Sequence, residues 1–224
     1  MKNIPKMLLF GLIEPAMFGL MVFLAAFTVH YWQAWVFLGV FAISSWTAGI
    51  YLLRTDPVAL QRRMRGGPAA ETRKVQKLVM AGWWLSLATT VVVSGLDHRF
   101  GWSAVPTAVC LVGDVLVAAG FCVATLVVIQ NGHAAATVRV EETQQVVTTG
   151  LYGLVRHPMY TGNLIMMAGI PLALGSYWGL VLLIPGVLVL ASRIRDEEQL
   201  LAQDLVGYRE YTGKVRYRLV PYMW

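Results

Sequence analysis

The sequence predicts an all-α, polytopic integral membrane protein with four N-terminal transmembrane helices, followed by a C-terminal helical hairpin and a cytoplasmic tail. Hydrophobic residues make up 57% of the 224 residues and charged residues only 13%, whereas soluble domains average about 45–50% and about 25%. The charges are also clustered, so that long uncharged or nearly uncharged runs separate them. Each run is close to or above the roughly 20 residues needed to cross a bilayer.

Four of these runs lie within residues 1–130, and each predicts one transmembrane helix. They span residues 7–29, 31–53, 78–96 and 102–129, and they contain only two charges, Glu14 and Asp114. An ionisable residue inside a span indicates a functional role by default. A structural role remains the alternative for both, because Glu14 is near the inner boundary and Asp114 can bond another helix.

The distribution of basic residues predicts the orientation. Seven lysines and arginines lie in the connection at residues 54–77, whereas the connection at residues 97–101 holds a single arginine. Since cytoplasmic loops carry the excess of positive charge, both termini and the 54–77 connection are predicted to face the cytoplasm. The net charge of +6 is thereby interpreted as a topology signal and not as a sign of nucleic-acid binding.

The last uncharged run, residues 163–192, predicts a helical hairpin. As one straight helix it would be about 45 Å long, and it would carry the basic tail to the outer face. Pro171, Gly175, Ser176, Pro185 and Gly186 interrupt it, so we expect a turn near residues 175–178 with both ends at the cytoplasmic face. The arms are short, which leaves open whether they are re-entrant or fully spanning.

The motifs of soluble nucleotide-binding and metal sites are absent from the chain. It has no G-x-G-x-x-G, Walker, C-x-x-C or H-E-x-x-H sequence. The two cysteines, Cys110 and Cys122, lie about 18 Å apart on one predicted helix, which excludes a disulfide or a shared metal site between them. No metal site is predicted.

Polar residues concentrate on both sides of the hairpin. The segment before it reads G-L-Y-G-L-V-R-H-P-M-Y-T-G over residues 150–162, and the segment after it reads R-I-R-D-E-E over residues 193–198. Pro158 is suited to the first position of a helix, which places Arg156 and His157 at a helix N-terminus that attracts anions. A hairpin would bring the two segments together. Each residue alone could instead be an interfacial anchor or an ordinary i,i+4 ion pair.

Taken together, V-R-H-P-x-Y-x-G, the hairpin, R-x-R-x-E-E and Tyr208-x-x-Tyr211 resemble the isoprenylcysteine carboxyl methyltransferase family, whose C-terminal architecture phospholipid methyltransferases share. The resemblance covers residues 131–224 and includes Asn131-x-His133 and the approach at residues 147–152. Leu151 stands where many relatives carry proline. The division that follows is a transmembrane region at residues 1–130 and a cofactor-binding and catalytic region at residues 131–224.

The resemblance implies a pocket for S-adenosylmethionine, with S-adenosylhomocysteine as the product. His157 would bind the cofactor carboxylate, Glu197 and Glu198 its ammonium or ribose hydroxyls, and Tyr152 and Tyr160 would flank the adenine or the sulfonium. The implied cofactor-binding residues are His133, Gly150, Tyr152, His157, Pro158, Tyr160, Gly162, Glu197, Glu198 and Leu201. Arg156, Arg193 and Arg195 are the implied catalytic residues, which hold a carboxylate or phosphate of the acceptor.

The predicted reaction is a direct in-line methyl transfer in a cytoplasm-facing site, in which the protein mainly provides proximity and orientation. The acceptor is expected to be lipid-soluble or amphipathic and to enter from the bilayer. A prenylcysteine carboxylate is favoured by the resemblance, and a phospholipid amine or a small thiol is the alternative. Two other classes stay open, an NADPH-dependent membrane reductase and a non-catalytic transporter that uses Glu14 and Asp114. Oligomeric state is not indicated by the sequence.

Overall fold

The structure is a computed structural model, and it describes residues 4–64, 71, 73–134 and 144–224, with the backbone alone for residues 4–10. Within these residues all regular structure is helical, which confirms the all-α prediction. Part of the basic connection, residues 65–70 and 72, lies outside the described residues. The helices are α1 (Ile4–Ala26), α2 (Trp32–Thr55), α3 (Pro57–Met64), α4 (Lys74–Phe100), α5 (Thr107–Gln130), α6 (Pro158–Ala173), α7 (Trp178–Val181), α8 (Leu183–Asp204) and α9 (Tyr208–Lys214), with a 3₁₀ turn at Gly150–Gly153.

Four helical stretches of the described chain are long and apolar enough to cross a membrane. They are α2, α4, α5 and the continuous stretch Trp178–Asp204 formed by α7 and α8. The described side chains of α1 form a shorter apolar helix, Gly11–Ala26. The protein is therefore an integral membrane protein, as the hydropathy pattern predicted.

The hairpin turns at residues 174–177, close to the predicted position. Gly175 takes the left-handed conformation, with φ of 68°, which glycine adopts without steric cost. The Ser176 hydroxyl donates to Asp97 Oδ2 at 2.5 Å, and the Tyr177 amide donates to Ser103 Oγ at 3.1 Å. Since Asp97 ends α4 and Ser103 precedes α5, the hairpin extends to the far end of its neighbouring helices.

Glycines allow α5 and α6 to pack with their backbones in close contact. A Cβ built on Gly169 would lie 2.7 Å from the Gly113 carbonyl oxygen, and one on Gly120 would lie 2.7 Å from the Gly162 carbonyl oxygen. Small residues at such positions drive helix association in membranes, where lipid removes the usual hydrophobic advantage of burial. This contact holds the first arm of the hairpin against the bundle.

The aromatic core lies toward the opposite end of the bundle from the start of α6. Phe18 of α1 packs edge-on against Phe37 and Phe41 of α2, with ring centroids 6.4 and 5.1 Å apart. Tyr31 is 1% exposed, stacks on His98 and donates from its hydroxyl to the Leu174 carbonyl oxygen. The core therefore fixes the turn of the hairpin, and the polar segment at the start of α6 lies at the other end of the bundle.

Gly169→Ala tests the packing of the hairpin. The added Cβ would meet the backbone of α5, so we expect the two helices to separate and stability to fall by about 1–3 kcal/mol. The measurement is the melting temperature of the purified protein in detergent. Gly39→Ala is the matched control, because a Cβ there meets nothing within 4 Å. Equal melting temperatures for both variants would contradict the close α5–α6 contact.

Candidate active site

A cavity lies where α4 begins, α5 ends, α6 begins and α8 ends. The Gln144–Val147 segment, the 3₁₀ turn and the tail helix α9 close it on the polar side, and α3 adds one side chain. Val79, Met80, Trp83, Val189 and Leu190 form an apolar wall on the side of the spanning helices. The cavity thus combines a polar end made by connecting segments with an apolar end made by membrane helices.

The start of α6 is held by the C-terminal tail. Pro158 is the first helical residue, as predicted, and His157 is its N-cap. The amides of Arg156 and His157 donate to the carbonyl oxygens of Tyr217 and Arg218, both at 2.9 Å. The backbone of the Arg-His-Pro segment is therefore a fixed wall of the cavity.

Glu198 neutralises the charges around this segment. Its Oε1 lies 3.2 Å from Arg156 Nη1 and 3.2 Å from His157 Nε2, and its Oε2 accepts from Arg218 Nε at 2.9 Å. Glu198 does not line the cavity. Its position indicates that this carboxylate anchors the tail and orients Arg156 and His157.

Glu197, the adjacent carboxylate, faces the cavity. Its Oε2 accepts from the Tyr160 hydroxyl at 2.5 Å, and the ring of Tyr160 stacks on His157 with centroids 5.5 Å apart. Its other oxygen, Oε1, makes no hydrogen bond among the described residues. Glu197 therefore presents an oriented acceptor to the cavity.

Arg193 supports this acceptor from behind. Its guanidinium donates to Tyr160 Oη at 2.8 Å, to Gln76 Oε1 at 2.9 Å and to Glu71 Oε1 at 3.1 Å. Both Glu71 and Arg193 are more than nine-tenths buried, and such burial requires that the charges be paired and hydrogen-bonded. With three donors engaged by the protein, Arg193 orients Tyr160 and thereby Glu197.

Tyr152 forms a polar contact on the other side of the cavity. Its hydroxyl accepts from Asn131 Nδ2 at 3.1 Å, and its carbonyl oxygen accepts from the Tyr211 hydroxyl at 2.7 Å. Burial raises the pKa of Tyr152 to about 12, so the phenol is protonated at neutral pH. It can donate a hydrogen bond to a ligand while its ring covers an apolar surface.

Two buried donors in the cavity lack partners. Arg156 Nε and Tyr208 Oη are both inaccessible to solvent and make no hydrogen bond in the described part of the chain, although both residues line the cavity. A buried donor without a partner costs about 1–3 kcal/mol. This pair therefore suits an anionic group of a ligand, such as a carboxylate.

The structure brings most of the predicted site residues together. His133, Tyr152, Arg156, His157, Pro158, Tyr160, Arg193, Glu197 and Leu201 line the cavity.

Four predicted residues do not line it. Glu198 lies behind the wall, and Arg195 is exposed. Gly162 packs against α5. Gly150, with φ of 61°, forms a turn in which the Leu151 amide donates to Gln130 Oε1 at 2.9 Å. Both glycines therefore serve the backbone around the cavity.

Several residues of the site were not predicted. Tyr208, Tyr211 and Asn131 are part of the motifs that carry the resemblance, but the sequence did not assign them to the site. Glu71 and Arg63 lie in the basic connection, where the sequence signal indicated topology alone. Only the packing of α3 against α2 and α5, and of α4 against α8, reveals that this connection reaches the cavity.

The fold and cavity define a polytopic integral membrane protein with a polar site at one end of an apolar helical bundle. Residues 109–205 match the sequence model of the phospholipid methyltransferase family. This match agrees with the methyltransferase resemblance that the motifs predicted. The matched segment contains all of the predicted site residues.

A second, partial similarity exists to Delta(14)-sterol reductase TM7SF2 of Mus musculus. The two sequences are 35% identical over 88 residues, which cover 36% of this chain. The matched part spans only 20% of the length of that reductase.

The two adjacent glutamates give separable predictions. Glu198→Gln should lower the melting temperature of the ligand-free protein, because Arg156 and Arg218 lose their shared counter-charge. Glu197→Gln can still accept from Tyr160, so it should leave the melting temperature unchanged and weaken ligand binding by ~1.5–3 kcal/mol, roughly 10–100-fold. Thermal denaturation and equilibrium binding of S-adenosylmethionine measure the two effects. If both variants had the same effect on melting temperature and on binding, the separate roles of Glu198 in holding the tail and of Glu197 in binding the ligand would be wrong.

Proposed function

We propose that this protein is an S-adenosylmethionine-dependent methyltransferase that acts on a lipid-soluble or amphipathic acceptor. The observation that carries the proposal is the cavity, lined mostly by the methyltransferase-matched segment together with α4 and the tail helix α9. It combines two buried donors without partners and a carboxylate oxygen that makes no hydrogen bond among the described residues. The zwitterionic amino-acid group of S-adenosylmethionine needs both of these partners.

The residues present fit this cofactor. Arg156 Nε and Tyr208 Oη would hold its carboxylate, and Glu197 Oε1 would accept from its ammonium or ribose hydroxyls. Tyr152 offers a ring face to the adenine. When bound, the cofactor supplies a methyl group already activated by a positively charged sulfur.

The task of the protein is then positioning. Tyr160 and Arg193 fix the Glu197 carboxylate, and the tail holds the Arg-His-Pro segment, so the donor is oriented before the acceptor arrives. The acceptor atom forms its bond to the methyl carbon while the electrons of the broken carbon–sulfur bond stay on sulfur. A carboxylate or thiolate acceptor requires no general base, whereas an ammonium must lose a proton first.

The apolar wall supports an acceptor with an apolar anchor. Val79 and Trp83 of α4 and Val189 of α8 all line the cavity, and each buried methylene contributes roughly 0.8 kcal/mol. A prenylcysteine carboxylate fits this arrangement and is the acceptor that we favour. A phospholipid amine or a small thiol is chemically compatible as well.

The partial similarity to a sterol reductase supports a second candidate, a reductase that uses a nicotinamide cofactor. The two candidates differ in the ligand of the cavity. Purified protein should bind radiolabelled S-adenosylmethionine and not NADPH, and the reverse result would favour the reductase.

Tyr208→Phe tests the proposed carboxylate contact. Loss of one hydrogen bond to a charged group should weaken S-adenosylmethionine binding roughly 10–100-fold, with little change in melting temperature, since the hydroxyl has no protein partner. The measurement is equilibrium binding to the detergent-purified protein. Tyr177→Phe, at the opposite end of the bundle, is the control, and unchanged affinity in Tyr208→Phe would remove this contact from the site.

The proposed orientation places the cavity and both termini in the cytoplasm, on the basis of the basic 54–77 connection. Cysteines introduced at Arg99 and Val206, both exposed, should react with a membrane-impermeant reagent from opposite sides of sealed vesicles. A background with Cys122→Ser removes the exposed native thiol. Labelling of both positions from the same side would contradict the proposed topology.

A further inference from the structure

Arg63 is a cavity-lining residue contributed by the connection between the second and third spans. It is on α3 and lies outside the segment that matches the methyltransferase family. Its guanidinium makes no hydrogen bond or ion pair with any described residue. Burial lowers the pKa of Arg63, because it disfavours the charged form of the guanidinium.

The fold holds α3 firmly in this position. Asp56 caps the helix, and its Oδ1 accepts from the amides of Val58 and Ala59 at 3.1 and 2.9 Å. Ala59 and Leu60 are 1% and 5% exposed and pack with Leu52 and Val128. On the same helix, Arg62 donates to the Gly132 carbonyl oxygen at 2.9 Å. Arg63 is therefore carried by a packed helix, and its side chain is only partly exposed.

The other arginines that line the cavity have protein carboxylates as partners. Arg156 pairs with Glu198 and Arg193 pairs with Glu71, and Arg195 is exposed away from the cavity lining. The negative charge that acts on Arg63 is Glu14 of α1, which is beyond ion-pair distance of it. Arg193 is also close enough to repel it. Arg63 is thus a cavity-lining arginine that has no carboxylate within ion-pair distance among the described residues.

S-adenosylmethionine does not supply this counter-charge either. Its single anionic group, the carboxylate, matches the unpaired donors of Arg156 and Tyr208, and its sulfonium and ammonium leave it with a net positive charge. The electrostatic neighbours of Arg63 are Tyr152, Tyr160, Glu14 and Arg193, whereas those of Tyr208 are Glu197, Glu198, Arg156 and Tyr211. These two sets have no residue in common, so the cavity offers a second position suited to an anion, beside the one that the cofactor would occupy.

We propose that Arg63 binds an anionic group of the methyl acceptor and selects acceptors that carry a carboxylate or a phosphate diester next to an apolar chain. This inference rests on the proposed function. The apolar wall of α4 and α8 would take the chain, and the Arg63 guanidinium would take the head group in the planar, bidentate manner that suits both anions. Arg63 is a specificity-determining residue here, and it takes no proton and forms no bond in the transfer.

The experiment compares matched pairs of acceptors for binding to the purified protein in nanodiscs, in the presence of S-adenosylmethionine. One arm uses an S-prenylated cysteine with a free carboxylate against its carboxamide. The other arm uses an ethanolamine phospholipid against a diacyl lipid with the same amine but no phosphate. The wild type should prefer the anionic member by about 10-fold or more in one arm, and that arm identifies the source of the anion.

Arg63→Gln should abolish this preference, and Arg63→Lys should keep part of it as a point charge. Affinity for S-adenosylmethionine and melting temperature should be unchanged in both variants. Arg54→Gln is the charge-matched control, since Arg54 is exposed in the same basic connection and has no partner in the described structure. It should behave as the wild type does, which separates a site effect from general attraction of anions to a basic surface.

Three results would overturn the inference. They are an anion preference that survives in Arg63→Gln, a wild type that shows no preference in either arm, and a loss of S-adenosylmethionine affinity in Arg63→Gln, which would assign the residue to the cofactor. Failure of the proposed function has a different signature, because the wild type would then not bind S-adenosylmethionine at all. Binding of NADPH that depends on Arg63 would place a cofactor phosphate at this residue instead.

Discussion

The shared carboxylate of Glu198 is the interaction on which the site depends. It joins the start of α6, the end of α8 and the C-terminal tail, because it accepts from Arg156, His157 and Arg218. These segments carry positive charge at the edge of an apolar bundle, where an unpaired charge is costly. Without the Glu198 carboxylate, the C-terminal tail would lose its ion pair to the start of α6, and this wall of the cavity would be less well held.

A second hydrogen-bond network orients the neighbouring carboxylate, Glu197. The chain of hydrogen bonds from Glu71 and Gln76 through Arg193 and Tyr160 ends at Oε2 of Glu197, a residue that lines the cavity. Members of such a buried network strengthen one another in a low-dielectric setting. The outcome is a cavity-lining carboxylate held by residues from α4, α6 and α8, which is the preorganisation that the proposed reaction requires.

The two ends of the bundle have different roles: one fixes the hairpin turn and the other forms the cavity. At the end opposite the cavity, Asp97, Ser103 and Ser176 tie the hairpin turn to the connection between α4 and α5. Tyr31 and His98 add a stacked pair beside it. Glycine contacts between α5 and α6 then transmit this fixed position along the hairpin, so the Arg-His-Pro segment stands at a defined depth beside the ends of α4 and α5.

The amino-acid sequence by itself determined that the chain is an all-helical membrane protein with a C-terminal hairpin, because hydropathy and charge are properties of consecutive residues. Pro171 and Gly175 marked the turn, and Pro158 marked the start of α6, since their backbone restrictions act locally. The motif resemblance also located the segment that the family comparison matches. Only the tertiary structure decided that Glu198 anchors while Glu197 faces the cavity, that Arg193 is engaged by Glu71, and that Gly162 serves helix packing. It also decided that Arg63, a residue of the basic connection, lines the cavity. The physical reason is that the partners of His157 and Arg193 lie 41, 117 and 122 residues away along the chain, and only helix packing determines which groups come within hydrogen-bond distance.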